Sequence, residues 1–522
     1  MTKIYIFFQF YPNFAQKFKS KNQLGNLSTH SIMSSQILVI SVIIAYLGVL
    51  LLISRFTTRR ANNSTFFIGN RKMPWLIVAL AMITAPISGV TFISVPGMVM
   101  TKGYGYLQMC LGFIVGYLII AWVLVPIYYR HNIVSIYSFL ETRFGKETYK
   151  TGAWFFLVSK ILGTAVKFLV VCIVLQMLVF QPLGVPFILN VVITISLIGI
   201  YTFKGGVKTV IWADLFKSVC LVSSIGVCIY FICNTIGINT GNFYHQLIDH
   251  PSSRVFFFEN PAESSYFWKQ FISGIFLVVA MTGLDQDMMQ HTLSCKNSKS
   301  SKKNLLLSSF LQFIVIAFFL ALGTLLIIFM ERHSIQPPEK SDDLFALIAF
   351  HKDMPVIVGI LFILGLVSAS YSSVGSALTS LTTSYTVDIL EATKKYDEKE
   401  VGRIRKFVHV GIAGMLILVI MAFYYLNNQD AISAVFTLAS YTYGPILGLF
   451  IFGIFSKKQV NAKSTAIICI MAPVLSWIIQ WLGRTYFDYT TGYELLLINA
   501  GIILAGLSML PSYSPSKVSL EH

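Results

Sequence analysis

The 522-residue chain is 55% hydrophobic and only 12% charged, with a mean hydropathy of +0.72. That composition excludes a soluble multi-domain protein and identifies a polytopic membrane protein. The net charge of +17 does not indicate nucleic-acid binding, because the basic residues sit in short loops between long apolar runs and form no basic face with interleaved aromatics.

Residues 1–33 are polar-aromatic and irregular, carry four lysines and lack a signal-peptide cleavage pattern. They read as an amino-terminal extension, either a mobile tail or a segment preceding a start at Met33. The first apolar span, 36–54, forms an extra helix over residues 34–55. Spans long enough to cross a bilayer then follow at 76–100, 106–128, 153–180, 185–201, 209–233, 267–290, 305–330, 355–383, 407–426, 431–455, 465–482 and 494–510. These thirteen spans predict an all-α polytopic membrane protein.

Alternate loops fall on opposite sides of the membrane. One set, with the residue 511–522 tail, holds 25 of the 39 Lys and Arg; the other holds seven. The basic side is cytoplasmic, which predicts an outside amino terminus, a cytoplasmic tail and a multi-pass plasma-membrane protein.

Two spans are interrupted. The second breaks around Thr84-Ala85-Pro86-Ile87-Ser88-Gly89, and the seventh around Met281-Thr282-Gly283-Leu284-Asp285-Gln286. Proline is tolerated in membrane helices as a simple kink. A matching break five helices later favours an unwound binding segment, because discontinuous helices in corresponding positions mark inverted repeats. Two five-helix units are predicted, 76–233 and 267–455, flanked by the helix at 34–55 and a further pair over 465–510.

The ninth span carries Ser372, Ser373 and Ser376 within two turns. Hydroxyls at membrane depth need partners, either a neighbouring helix or something arriving from water. Hard oxygen ligands suit a hard cation such as Na+. The chain has no GxxxxGK[ST] run, so its energy must come from an ion gradient or the solute itself. Its nine histidines are scattered, with no HExxH and no Ser/His/Asp grouping at a common depth. The seven cysteines form neither a CxxC pair nor a disulfide framework, and packing is their role. An enzyme is disfavoured. A solute sensor acting through a partner is a second reading, although only about a dozen residues follow the last span to supply an output domain.

Several stretches resemble the sodium:solute symporter family. They are Phe67-Ile68-Gly69-Asn70-Arg71, Tyr201-Thr202-Phe203-Lys204-Gly205-Gly206-Val207 with Trp212-Ala213-Asp214, and Asp285-Gln286 with Gln290-His291. The serine segment with Thr386-Val387-Asp388-Ile389, and Gly444-Pro445 with Phe455-Ser456-Lys457, complete the set in order. The resemblance implies a five-plus-five inverted-repeat fold of the leucine-transporter type and Na+-coupled solute import by alternating access. It places a sodium site on the carbonyls of Thr84, Ile87 and Ala369 and the hydroxyls of Ser372 and Ser373. Helix–helix bonding is the alternative role for those serines. Asp214 takes the place of an acid lining the ion exit; an ion pair with a nearby lysine is its other reading.

The resemblance, together with the intramembrane position of Lys167, suggests a solute site at Ser88, Thr91, Gln108, Lys167, Met281, Thr282, Asp285 and Phe436. Sugar-transporting members carry an aromatic where Met281 stands and a glutamine where Phe436 stands. The acid expected after the first break has become Cys110, or Gln108 with a shift. A hexose is therefore disfavoured, since a polyhydroxylated ligand needs convergent polar groups. Ser88–Pro96 and Pro126–Arg130 with Ser135-Ile136-Tyr137 are closer to the branch carrying iodide, monocarboxylates and vitamins. A small organic anion such as a carboxylate is the expected solute, with a sugar or sialic acid as the alternative. Intramembrane Lys167 adds positive charge, whereas Lys160 is expected to snorkel toward the cytoplasm. Lys217 departs from the glutamine usual three residues after Asp214, and Pro86 replaces a polar residue. The expected partners are Na+, a small solute and lipid.

Overall fold

A computed structural model describes residues 29–512 except 60–61, 182, 262, 427–430, 488 and 490. Most of the expected extension 1–33 and tail 511–522 therefore lies outside the described residues. The described chain is helical, with a single isolated bridge between Met73 and Cys295.

In chain order the main helices are α1 (Thr29–Thr57), α2 (Trp75–Ala81), α3 (Gly89–Lys102), α4 (Tyr106–Arg130), α5 (Lys146–Leu175), α6 (Phe187–Thr202) and α7 (Gly206–Thr235). They continue with α8 (Phe267–Val278), α9 (Gln286–Leu293), α10 (Ser298–Arg332), α11 (Val356–Ile389), α12 (Glu398–Leu426), α13 (Ala431–Phe455), α14 (Ala462–Phe487) and α15 (Leu495–Met509). Among the described residues nine helices are long and apolar enough to cross a membrane, ten if the bent α8–α9 pair counts as one span. Of the other expected spans, 76–100 is divided into α2 and α3, while α6 and α15 are short apolar helices.

Both breaks have local causes. Pro86 lacks an N–H and disfavours a helical residue before it, and the chain is non-helical over 82–88. The helix restarts where Ser88 caps it, with Ser88 and Thr91 exchanging side-chain and backbone bonds. The second break begins with a widened π-type turn over Val279–Gly283, and Asp285 caps α9, accepting from the Asp287 and Met288 amides. The axis turns by 68° between α8 and α9.

Contacts between the two five-helix halves come in exchanged pairs. The first helix of the first half (α3) lies on the second of the second half (α10), and the second helix of the first half (α4) lies on the first of the second half (α8). Likewise α7 packs on α11 while α5 packs on α13. An inverted repeat produces such an exchange, and it places both breaks at the centre of the bundle. The remaining pair, α14 and α15, covers α13 and α5 from outside.

Candidate functional site

At the first break the chain between α2 and α3 is unwound over 82–88. Among the described residues no donor reaches the carbonyl oxygens of Thr84 or Ile87, which leaves two main-chain oxygens at membrane depth for another ligand. Ser372 on α11 donates to the Thr84 hydroxyl across 3.3 Å. That hydroxyl also lies 3.0 Å from Ser218 Oγ and 3.4 Å from the Asp214 carbonyl on α7. Ser372 and Ala369 are fully buried, and neighbouring Ser373 lines a cavity beside Pro86. Of the expected sodium set, Ser372 thus reaches the side chain of Thr84 across the break, and Ser373 faces the cavity beside Pro86. All five expected ligands are uncharged oxygens, a hard donor set that suits an alkali cation.

The cavity measures about 150 Å³ and is shared by both breaks. Ser88 and Thr91 from the first break, Met281, Thr282 and Asp285 from the second, and Lys167 from α5 all line it. Apolar side chains including Phe113, Tyr117 and Leu277 form much of the rest. Lys167 has no ion pair or hydrogen bond among the described residues, whereas the other lining lysine, Lys160, is fully engaged.

Lys160 corrects the expectation that it snorkels. Its side chain is 15% exposed and its ammonium lies 3.1 Å from Asp285 and 2.7 Å from Asp287. Burial there is tolerated because two carboxylates at the amino end of α9 balance it and are themselves bonded. The Tyr443 hydroxyl donates to Asp285, and Ser376 donates to Asp287 across 3.2 Å. Tyr128 and Tyr137 donate to the freed Gly283 and Leu284 carbonyls at 2.9 and 3.0 Å. Asp287 and Tyr443 were not anticipated from the sequence. The seven-residue spacing of Lys160 and Lys167, which sets both on one face of α5, was the available signal.

One of the expected solute residues, Gln108, is not on the cavity wall. Gln108 is buried and tied to a loop, donating to the Ser265 carbonyl at 2.9 Å and accepting from the Phe257 amide at 3.1 Å. Its polarity serves that loop. The side chain of Phe436 lies outside the described residues, two positions before the lining residues Leu438 and Ala439.

Asp214 lies in α7 behind the Thr84 hydroxyl, fully buried, with Lys217 at 3.1 Å and His291 at 3.3 Å on its two oxygens. The carboxylate is therefore held from both α7 and α9.

The profile of the sodium:solute symporter family matches residues 66–471. The chain is 26% identical over 475 residues to the sodium/sialic acid symporter NanT of Aliivibrio fischeri (strain ATCC 700601 / ES114), covering 88% of this chain and 91% of that one. It is 24% identical over 404 residues to the human sodium/iodide cotransporter, covering 75% of this chain and 61% of that longer protein. A solved Na+-coupled sialic acid symporter in a substrate-bound outward-open state superposes with a TM-score of 0.77 at 20% identity, over 90% of this chain and 97% of that one. That superposition establishes a shared fold.

Proposed function

This chain belongs to the sodium:solute symporter family, and on that premise we propose that it couples Na+ bound at the first break to the import of a small organic anion held in the central cavity. It is a multi-pass membrane transporter driven by sodium, and not an enzyme. The finer reading rests on one observation. Lys167 is the lining cation with no described partner, in a cavity whose other lysine is already neutralised. A carboxylate entering beside Lys167 gains a charge-assisted bond worth about 1.5–3 kcal/mol. The names of two relatives, for sialic acid and for iodide, both denote carriers of anions.

In this reading the sodium ligands are the carbonyls of Thr84, Ile87 and Ala369 and the hydroxyls of Ser372 and Ser373. The solute contacts Ser88, Thr91, Lys167, Met281 and Thr282, with Asp285 fixed by Lys160. Sodium orders the unwound 82–88 segment, whose other face is the cavity wall. Ion binding thereby raises solute affinity, and solute binding raises ion affinity by the same factor. Asp214 lies on the ion's route away from the cage. Gln108 has no part in this set.

Thermal shift of the purified protein with short monocarboxylates, N-acetylneuraminate, glucose and iodide, each with and without Na+, tests the proposal. A carboxylate should stabilise the protein only with Na+, and Lys167→Gln should weaken that carboxylate at least tenfold. Stabilisation by glucose, or an unchanged carboxylate affinity in Lys167→Gln, sinks the anion reading. Response to N-acetylneuraminate alone selects a carboxylated sugar.

A further inference from the structure

Behind the first break, Lys217 is fully buried and its ammonium is held by oxygens. It lies 3.1 Å from Asp214 Oδ1, 2.9 Å from the Tyr201 hydroxyl and 3.1 Å from the Tyr371 carbonyl. Three donors meet three acceptors, so the ammonium is saturated. The acceptors come from three helices, α7, α6 and α11, and they converge on one point. The Tyr201 hydroxyl also donates to the Tyr371 carbonyl at 3.0 Å, which orients both. Gly375 makes the approach possible, because a Cβ there would fall 2.1 Å from the Tyr201 oxygen. A carboxylate, a phenol and a main-chain carbonyl without a competing thiol form a site for a monovalent cation as much as for an ammonium. The Tyr371 carbonyl immediately precedes Ser372, and the Asp214 carbonyl touches the Thr84 hydroxyl. The pocket therefore adjoins the proposed sodium cage and shares its scaffold.

We infer that Lys217 is a tethered cation filling a second monovalent-cation pocket formed by Asp214, Tyr201 and Tyr371, so that the protein binds a single Na+ and would bind another once that ammonium is removed. The opposite face of Asp214 is closed by His291 at 3.3 Å, which leaves the Lys217 side as the position open to an ion. Removing the lysine side chain leaves a buried carboxylate without its counter-charge, a strong drive to recruit an ion of the same sign. The inference rests on sodium binding at the first break and is independent of the solute.

The test uses Na+ alone on purified protein, with radioactive sodium counted per chain and thermal stability followed in NaCl against choline chloride. Wild type should bind one Na+ and Lys217→Ala two, with steeper stabilisation by Na+. Lys217→Arg, which keeps the charge, and Lys217→Met with Asp214→Asn, which removes both charges, should each bind one. Ser372→Ala with Ser373→Ala should bind none in wild type, and one when Lys217→Ala is added. That last pair separates failure of the first site from failure of the second. Two ions on wild type, or one on Lys217→Ala, overturns the inference. If Lys217→Ala is unstable, restoration by NaCl but not by choline chloride supports it, and no restoration by either overturns it.

Discussion

Ser372 and Lys160 show how differently single polar residues behave at membrane depth. The Ser372 hydroxyl is uncharged and, among the described residues, bonds the Thr84 hydroxyl across the break, so it can turn to an arriving cation at little cost. Lys160 is charged and is balanced on arrival by Asp285 and Asp287, which commits it to holding the second break. A hydroxyl bonded to a charged group contributes about 1.5–3 kcal/mol, which converts to about tenfold or more in affinity. Ser372→Ala should therefore raise the half-saturating Na+ concentration at least tenfold in proteoliposome uptake. Adding Ser373→Ala should abolish sodium stimulation, and retention of it in the double variant rules the site out. The serines and Lys167 were legible as residues because hydroxyls and lysines stand out in apolar runs. That Lys160 is the paired one was not, since Asp285 and Asp287 lie 125 or more positions away in the chain.

At the scale of elements, the breaks were legible because Pro86, Ser88 and Asp285 act on their own immediate backbone. The turn Ser341–Asp343 was not, yet it packs against α3, where a Cβ on Gly97 would meet the Ser341 carbonyl at 2.1 Å. Asp343 lies outside the spans, and burial, helped by the Asp342 charge, raises its carboxyl to about 6. An acid with a raised folded value favours the protonated form, so folding is least penalised below about pH 4. The penalty grows as pH rises and is complete above about pH 6. Asp343→Asn should remove this pH dependence and leave the protein more stable than wild type at pH 7, as read by thermal unfolding at pH 4.5 and 7. Equal destabilisation at both values shows a loss of packing instead.

Across the whole molecule, the basic loops counted on one side of the membrane meet in space. Lys146 and Lys150 reach Glu391 at 3.0 and 3.1 Å, and Lys394 reaches Glu141 at 2.8 Å. Arg143 donates to the carbonyls of Gly453, Ser456 and Lys458. The Lys146 hydrogen bond, with Lys150 beside it, holds Glu391 down to about 2, so this face stays ion-paired at every physiological pH. If this face is cytoplasmic, an impermeant maleimide should label Lys457→Cys in inside-out vesicles and not in right-side-out ones. Five of the seven native cysteines are buried and give little background. Labelling from the outer side reverses the orientation.

The apolar runs, their interruptions and the bias of basic loops by themselves determined a helical membrane bundle with two broken helices, because hydropathy and proline chemistry act over a few residues. The repeat is read from the matching breaks five helices apart rather than from residue identity between the halves, and the exchanged contacts of α3 with α10 and α4 with α8 are those such a repeat produces. The tertiary structure alone decided that Gln108 serves a loop, that Lys160 is neutralised while Lys167 has no partner among the described residues, and that Lys217 sits in an oxygen cage. Each of these is a charge or hydrogen-bond balance struck between helices distant in sequence, and packing sets that balance.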